Sequence, residues 1–358
     1  MKKFRVAVLA NIKANAPVFE GMSEDQWDDL DSESTVLSLR DAIRAGGHEC
    51  EFLEADETII DTVRAYKPDI CFNIAESHFG DSREAQIPAI LEKLQIPYTG
   101  SKVLTLALSL DKPMTKRILA WHNLPTPEFQ SFEREDEPLE EGMNYPLFIK
   151  PSREGTSMGV SAESIVTSVG QLRAQVEKQL GLYNQPILCE HYIEGREVTV
   201  GIIGNLEPTA ARRVKERTLI EEVPDGLMTL PALEVNLGAY DESEAGLYTN
   251  RMKTELADNF QFLCPAPLEP NLLHQLNLLA ATVFLVTDCK DVARVDFRLD
   301  RHNGSKPYIL EVNPLPGLNP TLSDLCFQSS ALGWSYEQLI NTIVSTAAER
   351  QGLITRVR

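Results

Sequence analysis

The sequence predicts an α/β protein that begins with an open parallel sheet. Three observations point there. Phe4 to Ala10 is a near-continuous apolar run with Val6 and Val8, as expected of a strand covered on both faces. Residues 33–99 then alternate helix-period and strand-period segments, the pattern of a parallel sheet with crossover helices. Near the other end, Ala293–Asp300 and Tyr308–Pro314 alternate apolar and polar residues at period two around the turn formers Arg301-His-Asn-Gly-Ser-Lys306, which reads as a hairpin.

Taken in order, residues 11–30 are polar and acidic and read as a long loop carrying Trp27. Glu33 to Ala45 has helical spacing through Val36, Leu39, Ala42 and Ile43, and Gly46-Gly47 stops it. There follow a strand (Cys50–Leu53), a helix (Thr58–Tyr66), a strand (Ile70–Ile74), a helix (Glu84–Leu94) and a short strand at Tyr98-Thr99. Open parallel sheets bind ligands at the carboxyl ends of their strands, so the loops after Ala10 and Ile74 mark a binding edge. Leu104 to Asn123 reads as one or two helices, closed by Leu124-Pro-Thr-Pro127 because proline cannot continue them. Residues 133–141 are an acidic loop or linker. Pro146–Lys150 is a short strand running into the loop Pro151–Val160, followed by an amphipathic helix over Val169–Leu180 and strands at Ile187–Glu190 and Glu197–Ile203. Residues 205–262 are the least regular part, long enough to suggest a functional loop system. Helices over Leu272–Val286 and Ser335–Gln351 flank the hairpin.

A chain of 358 residues exceeds one core of typical size, and two or three domains are expected. At 43% hydrophobic and 24% charged it has the composition of a soluble globular protein. The net charge of −19 argues against general binding to nucleic acid or anionic membrane, although local lysines and arginines can still form a pocket for a small anion. Six cysteines are scattered singly without a C-x-x-C pair, as in a reducing cytosol. The N-terminal lysines and short apolar run are followed at once by polar residues, and no segment is apolar enough to span a bilayer. The expectation is a soluble, cytoplasmic protein.

Chemistry is suggested first by the hairpin. Arg294, Asp296 and Arg298 share one face of its first strand, and Glu311 and Asn313 share a face of the second. If the polar sides coincide, an arginine, two carboxylates and an amide converge, a donor set suited to a hard divalent cation with nucleotide phosphates. On spacing alone, a salt-bridged solvated face stays open as the alternative. The second stretch is Lys150-Pro-Ser-Arg-Glu-Gly-Thr-Ser-Met-Gly-Val160, which joins a lysine at a strand end to two glycines and two hydroxyls. Exposed backbone N–H groups in such loops bind phosphate. It is not a Walker A loop, since no Gly-Lys-Ser/Thr occurs, and a plain surface loop is its alternative.

These two stretches, with Ile96-Pro-Tyr-Thr-Gly-Ser101, Leu110-Asp-Lys-Pro-Met-Thr-Lys116 and Glu194-Gly-Arg-Glu-Val-Thr-Val200, occur in the order seen in D-alanine–D-alanine ligases. The chain resembles that family of ATP-grasp carboxylate–amine ligases over nearly its whole length, most weakly at 11–32 and 205–262. The resemblance implies an N-terminal open parallel α/β domain (1–100) followed by a two-part ATP-grasp fold, with a central subdomain (101–189) and a C-terminal one (190–358) holding ATP between them. It implies that Lys112, Lys150 and Lys253 serve the nucleotide, that Glu190 to Ile193 line the adenine, and that Glu197 accepts the ribose hydroxyls. Taken singly, Lys112 could be a surface lysine and Glu197 a partner of Arg196. Asp296, Glu311 and Asn313 match the family's magnesium ligands, implying two ions bridged by Glu311, with manganese as an alternative. Arg294 matches the arginine that steadies the transferring phosphoryl group, and Gly317 would offer a backbone N–H to the oxyanion. Thr156 stands for the family's serine and is followed by Ser157. The implied reaction moves the γ-phosphate onto a carboxylate, and an amine then displaces phosphate from the acylphosphate. Amino-acid or small carboxylate and amine substrates and a homodimer are implied as partners.

The departures fall on the amino-acid sites. Glu76-Ser-His-Phe-Gly-Asp-Ser-Arg-Glu84 stands where the family has His-Gly-x-x-Gly-Glu-Asp-Gly, so Glu76 replaces the histidine. With Cys264-Pro-Ala266 as anchor, the family's Lys-Tyr pair becomes Lys253-Thr254, with Tyr248 nearby. Asn319-Pro-Thr-Leu-Ser-Asp324 replaces the Ser-Leu that holds the second substrate's carboxylate. The glutamate that grips the first substrate's ammonium is not recognisable, and Glu33, or Asp31 beside it, is the nearest candidate. Arg212, Arg213, Lys215 and Arg217 form a cluster that could meet an anionic substrate or simply be solvated. The expectation is an ATP-dependent ligase with D-alanine or other substrates. A nucleotide-binding protein without turnover and an enzyme that stops at phosphoryl transfer are the alternatives.

Overall fold

The computed structural model describes residues 2–206, 219–236, 247 and 262–355. Strand β1 (Arg5–Ala10) lies between β2 (Glu49–Glu54) and β3 (Ile70–Asn73) in a parallel sheet. Its apolar run is continuous because alternate residues enter different cores. Val6, Val8 and Ala10 meet Val36 and Leu39 of helix α1 (Glu33–Ala45), whereas Ala7 and Leu9 meet Ile59 and Val63 of α2 (Ile59–Tyr66) and Leu91 of α3 (Gln86–Leu94). Ser32 caps α1, its hydroxyl accepting from the Thr35 N–H at 3.2 Å. The expected strand at Tyr98 is reduced to one parallel bridge with Cys71.

Two helices follow, α4 (Val103–Leu110) and α5 (Lys112–Trp121). Asp111 separates them and caps the second by accepting from the Met114 N–H at 3.0 Å, with Pro113 in the first turn where its missing N–H costs nothing. An antiparallel sheet comes next, in the order β4 (Phe129–Phe132), β7 (Ile187–His191), β5 (Leu147–Pro151), β6 (Ile165–Val166). Helix α6 (Val169–Tyr183) covers one side through Leu172 and Val176. Strand β4 is not evident in the sequence, being a four-residue edge strand between loops.

The largest sheet runs β11 (Phe262–Leu263), β10 (Leu233–Val235), β8 (Gly195–Gly204), β12 (Asp291–Asp300), β13 (Lys306–Asn313), with β9 (Leu227–Thr229) also on β8. Val295, Phe297 and Leu299 face the core beneath it, where Leu276, Leu279 and Val283 of α7 (Pro270–Val286) pack. This leaves the opposite face of β12 to its polar residues, as the period-two pattern requires. Beyond the hairpin come α8 (Asp324–Ala331) and the closing helix α9 (Tyr336–Arg350), whose Leu339, Ile340 and Ile343 return to α1 and share its core. Among the described residues no helix is long and apolar enough to cross a membrane.

Candidate active site

In the hairpin, Arg294 pairs with Asn313 and Asp296 with Glu311, so the polar residues of the two strands face one another across the ladder. The next pair is Phe297 with Ile309, which makes Leu310 the extra residue of a β-bulge. The bulge turns both Leu310 and Glu311 toward the same cleft. On the other flank of β12, Asp296 lies opposite Thr199 and Arg298 opposite Glu197.

Arg294 forks the Asp296 carboxylate, with Nε 2.9 Å from one oxygen and Nη2 2.9 Å from the other. The Asn313 amide nitrogen donates to Asp296 at 2.9 Å, the Thr199 hydroxyl also donates to it, and Asp324 stands 3.3 Å from Arg294 Nη1. Burial works against the Arg294 cation, but Asp296 and Asp324 outweigh it and raise its pKa, so it is fixed as a cation. Lys112 reaches in from the start of α5, its Nζ 3.6 Å from Glu311 and donating to the Glu154 carbonyl.

Lys150 closes a second cluster. Its Nζ is 3.0 Å from one oxygen of Glu190, and Lys116 Nζ is 2.6 Å from the other, with the Glu190 side chain only 3% exposed. Burial raises the Glu190 pKa, yet the two ammonium groups more than offset it and hold it below the usual carboxylate range. Glu190 thus fixes the position of Lys150. Glu197 pairs with Arg298 at 3.2 Å, while Arg196 goes to Glu234 at 2.6 Å, so the expected Arg196–Glu197 alternative is not what forms.

The loop after β5 is held in an uncommon backbone shape. Thr156 and Ser157 are both left-handed, with φ of 46° and 57°, a conformation that non-glycine residues adopt mainly where surrounding contacts enforce it. Gly159, at φ +72°, is required sterically, since a Cβ there would lie 2.8 Å from the Pro151 ring. Its N–H donates to Asp25 at 2.8 Å, and the Tyr183 hydroxyl donates to the same carboxylate at 2.9 Å. Buried Arg83 ties the loop to the N-terminal sheet as well, at 2.8 Å to Asp29, 3.1 Å to Glu154 and 2.8 Å to the Arg153 carbonyl.

These elements enclose two spaces. A cleft is lined by Lys112, Lys150, Tyr192, Ile193, Glu197 and the hairpin. A wider space of about 1790 Å³ lies toward the carboxyl ends of β1 and β3, bounded by Asp31, Glu76, Glu84, Thr156, Gly317 and Asn319. Lys112, Glu154, Arg294, Glu311 and Asp324 line both spaces. Asn319 is fixed there, donating to the Thr35 hydroxyl at 2.9 Å and accepting from the Thr321 N–H at 3.0 Å. Of the two candidates at the start of α1, Glu33 is exposed and lines neither space, whereas Asp31 lines the wider one. Lys253, Tyr248 and the cluster of Arg212, Arg213, Lys215 and Arg217 lie outside the described residues.

Among the described residues no group of three His, Cys, Asp or Glu side chains could hold a metal ion. The hairpin offers two carboxylates and an amide, which fits magnesium, an ion that keeps water and phosphate oxygens as its remaining ligands. Since the guanidinium of Arg294 engages both Asp296 oxygens, it must turn aside for a cation to take them.

Residues 118–345 match the sequence pattern of the family described as "D-ala D-ala ligase C-terminus". The chain belongs to that family. It is 32% identical to the uncharacterized protein y4sG of Sinorhizobium fredii over 89% of this chain and 88% of that one. It is 30% identical to a D-alanine–D-alanine ligase of Syntrophotalea carbinolica, covering 88% and 91%. The D-alanine–D-alanine ligase of Bacillus anthracis, solved in complex with ATP, superposes with a TM-score of 0.71 at 20% identity over 98% of this chain and 99% of that one, which establishes the ATP-grasp fold. As a member of the D-alanine–D-alanine ligase family, the chain is an ATP-dependent ligase that forms a C–N bond. Several residues at this ligase site were not foreseen. Lys116, Arg83 and Glu154 act through partners distant in sequence and leave no local signal. Asp324 could have been found, because Ser323-Asp324 before an apolar run is a helix-start pattern that sets an acid at the site.

Proposed function

We propose that this ligase joins an amino-acid or other small carboxylate to an amine through an acylphosphate, with release of ADP and phosphate. The observation that carries this reading is the meeting of the two spaces at Arg294 and Glu311. A nucleotide lying in the narrower cleft would direct its γ-phosphate there, and a carboxylate held in the wider one would meet it.

In this reading Lys112 and Lys150 contact the phosphates, residues 190–193 flank the adenine, and Glu197 accepts the ribose hydroxyls. Asp296, Glu311 and Asn313 would hold magnesium, or manganese, as one or two ions that neutralise phosphate charge when bound. Arg294 supplies fixed positive charge where phosphoryl transfer spreads negative charge over equatorial oxygens, an effect that needs no covalent help from the protein. Thr156 and Gly317 border the wider space and Ser157 the narrower one, and in this reading the Gly317 N–H and the two hydroxyls would serve the tetrahedral oxyanion. Breakdown of that intermediate expels phosphate and leaves the new C–N bond. The three-domain division at residues 100 and 189, a cytoplasmic homodimer, and an absence of nucleic-acid and membrane partners complete the proposal.

The test is phosphate release from ATP across pairs of D- and L-amino acids and simple amines, with masses of the products. Release that depends on both a carboxylate and an amine, with a condensed product, supports the ligase reading. Accumulation of a phosphorylated product without condensation would replace it with a kinase.

A further inference from the structure

We infer that Arg83 is a positioning residue for Lys112, fixing the segment that holds this lysine in the narrower cleft. The inference rests on the reading of Lys112 as a phosphate contact. Lys112 opens α5 and is tied to residues 152–154 three times over. Its backbone N–H donates to the Ser152 carbonyl at 3.0 Å, and its ammonium donates to the Glu154 carbonyl at 2.5 Å. The preceding residue, Asp111, accepts from Arg153 Nε at 3.0 Å. Where the ammonium points is therefore set by where the backbone at 153–154 lies.

Arg83 fixes that backbone from the N-terminal sheet's side, in the short turn Arg83–Ala85 that leads into α3. One guanidinium nitrogen donates to the Arg153 carbonyl at 2.8 Å. The other donates to Glu154 at 3.1 Å and to Asp29 at 2.8 Å. All three side chains are buried, and the two carboxylates outweigh the cost of burial and keep the guanidinium charged. A salt bridge that served the fold alone would need only the carboxylates. Here a further donor goes to a loop carbonyl one residue before the carbonyl that receives Lys112. Gln185 braces the same two residues, accepting from the Arg153 N–H at 2.6 Å and donating to Glu154 at 2.5 Å. Loss of Arg83 should therefore shift this segment without unfolding it. Asp29 lines the wider space and Glu154 lines both, so Arg83 makes the hold on nucleotide phosphates depend on the N-terminal sheet.

Dissociation constants of ATP and of adenosine, measured on the full chain for wild type, R83M, K112A and R83M/K112A, test the idea. R83M should weaken ATP binding about tenfold, the scale of one hydrogen bond to a charged group. Adenosine carries no phosphates, and its binding should stay within about twofold of wild type. In the K112A background the same change should weaken ATP less than about threefold, because the residue through which Arg83 acts is gone. Equal weakening of ATP and adenosine, or an undiminished effect of R83M beside K112A, assigns Arg83 to the fold alone and overturns the inference. ATP binding of wild-type strength in R83M overturns it too. R83K keeps the charge beside Asp29 but not the two-nitrogen fork, and it carries the same comparison if R83M does not fold. A separate result, K112A binding ATP as wild type does, would overturn the assignment of Lys112 to the phosphates.

Discussion

Arg294 and Asp296, two residues apart on one face of β12, are joined by a two-pronged ion pair with both contacts at 2.9 Å. The pair holds the guanidinium in the cleft, and Asp296 helps keep it charged. In the proposed reading, replacing the arginine removes the fixed charge that would meet the transferring phosphoryl group. Arg294→Ala is expected to lower kcat by about 10²–10³ with a smaller effect on ATP affinity, as for loss of one oxyanion-stabilising donor. Steady-state kinetics with a binding measurement checks this, and an unchanged kcat would remove Arg294 from the chemistry. Asp296→Asn and Glu311→Gln should each abolish turnover while circular dichroism stays native.

The Lys116–Glu190–Lys150 cluster is more buried, and a different outcome is expected. Lys116 and Glu190 are 1% and 3% exposed, and removing the central carboxylate would strand two ammonium groups away from water. Breaking such a cluster from one side typically costs about 3–5 kcal/mol. Glu190→Ala should therefore show as a large fall in the denaturant midpoint before any kinetic effect is interpretable. Glu190→Gln should fall less and weaken ATP binding by loosening Lys150.

These two clusters differ in how far the sequence revealed them. The hairpin was legible because period-two alternation fixes which side chains share a face, and a buried apolar face forces the register. Its bulge at Leu310 was not, since an extra residue leaves the apolar pattern almost unchanged. The Lys116–Glu190 pair and the Arg83 ties join elements far apart in the chain, and no local pattern encodes such contacts. The segment 11–31 read as an undifferentiated acidic loop, yet its aspartates divide their work. Asp28 and Asp29 meet cations, Asp25 meets a backbone N–H and a hydroxyl, and Asp31 faces the open space. Glu33 was the natural candidate at the start of α1, but helix geometry turns that position to solvent.

Asp25 links the N-terminal segment to the loop that borders the narrower cleft, the proposed nucleotide site. Asp25→Ala would release both the Gly159 N–H and the Tyr183 hydroxyl, loosening a loop whose strained residues depend on outside contacts. KM for ATP is expected to rise several-fold, about the effect of losing one or two charge-assisted hydrogen bonds shared between loop ordering and binding. Limited proteolysis should cut the loop faster in the variant. An ATP KM equal to wild type would show that the loop keeps its shape without this tie.

Asp31 ties stability to pH in a direction opposite to an ordinary ion-paired acid. Burial first, then the neighbouring Asp29, push its pKa from 3.8 to about 7 in the folded chain. Between those values the folded form retains a proton that the unfolded form has lost, so stability falls as pH rises. The contribution is full below about pH 4 and gone once pH passes about 7, and the raised Glu76 and Glu84 add to it in the same sense. Asp31→Asn removes the cost of ionisation while keeping the shape. The substrate-free variant should melt higher than wild type near pH 7.5, with the gap closing toward pH 5. Melting curves in matched buffers measure this directly, and parallel Tm–pH profiles for the two chains would show that Asp31 does not titrate across this interval.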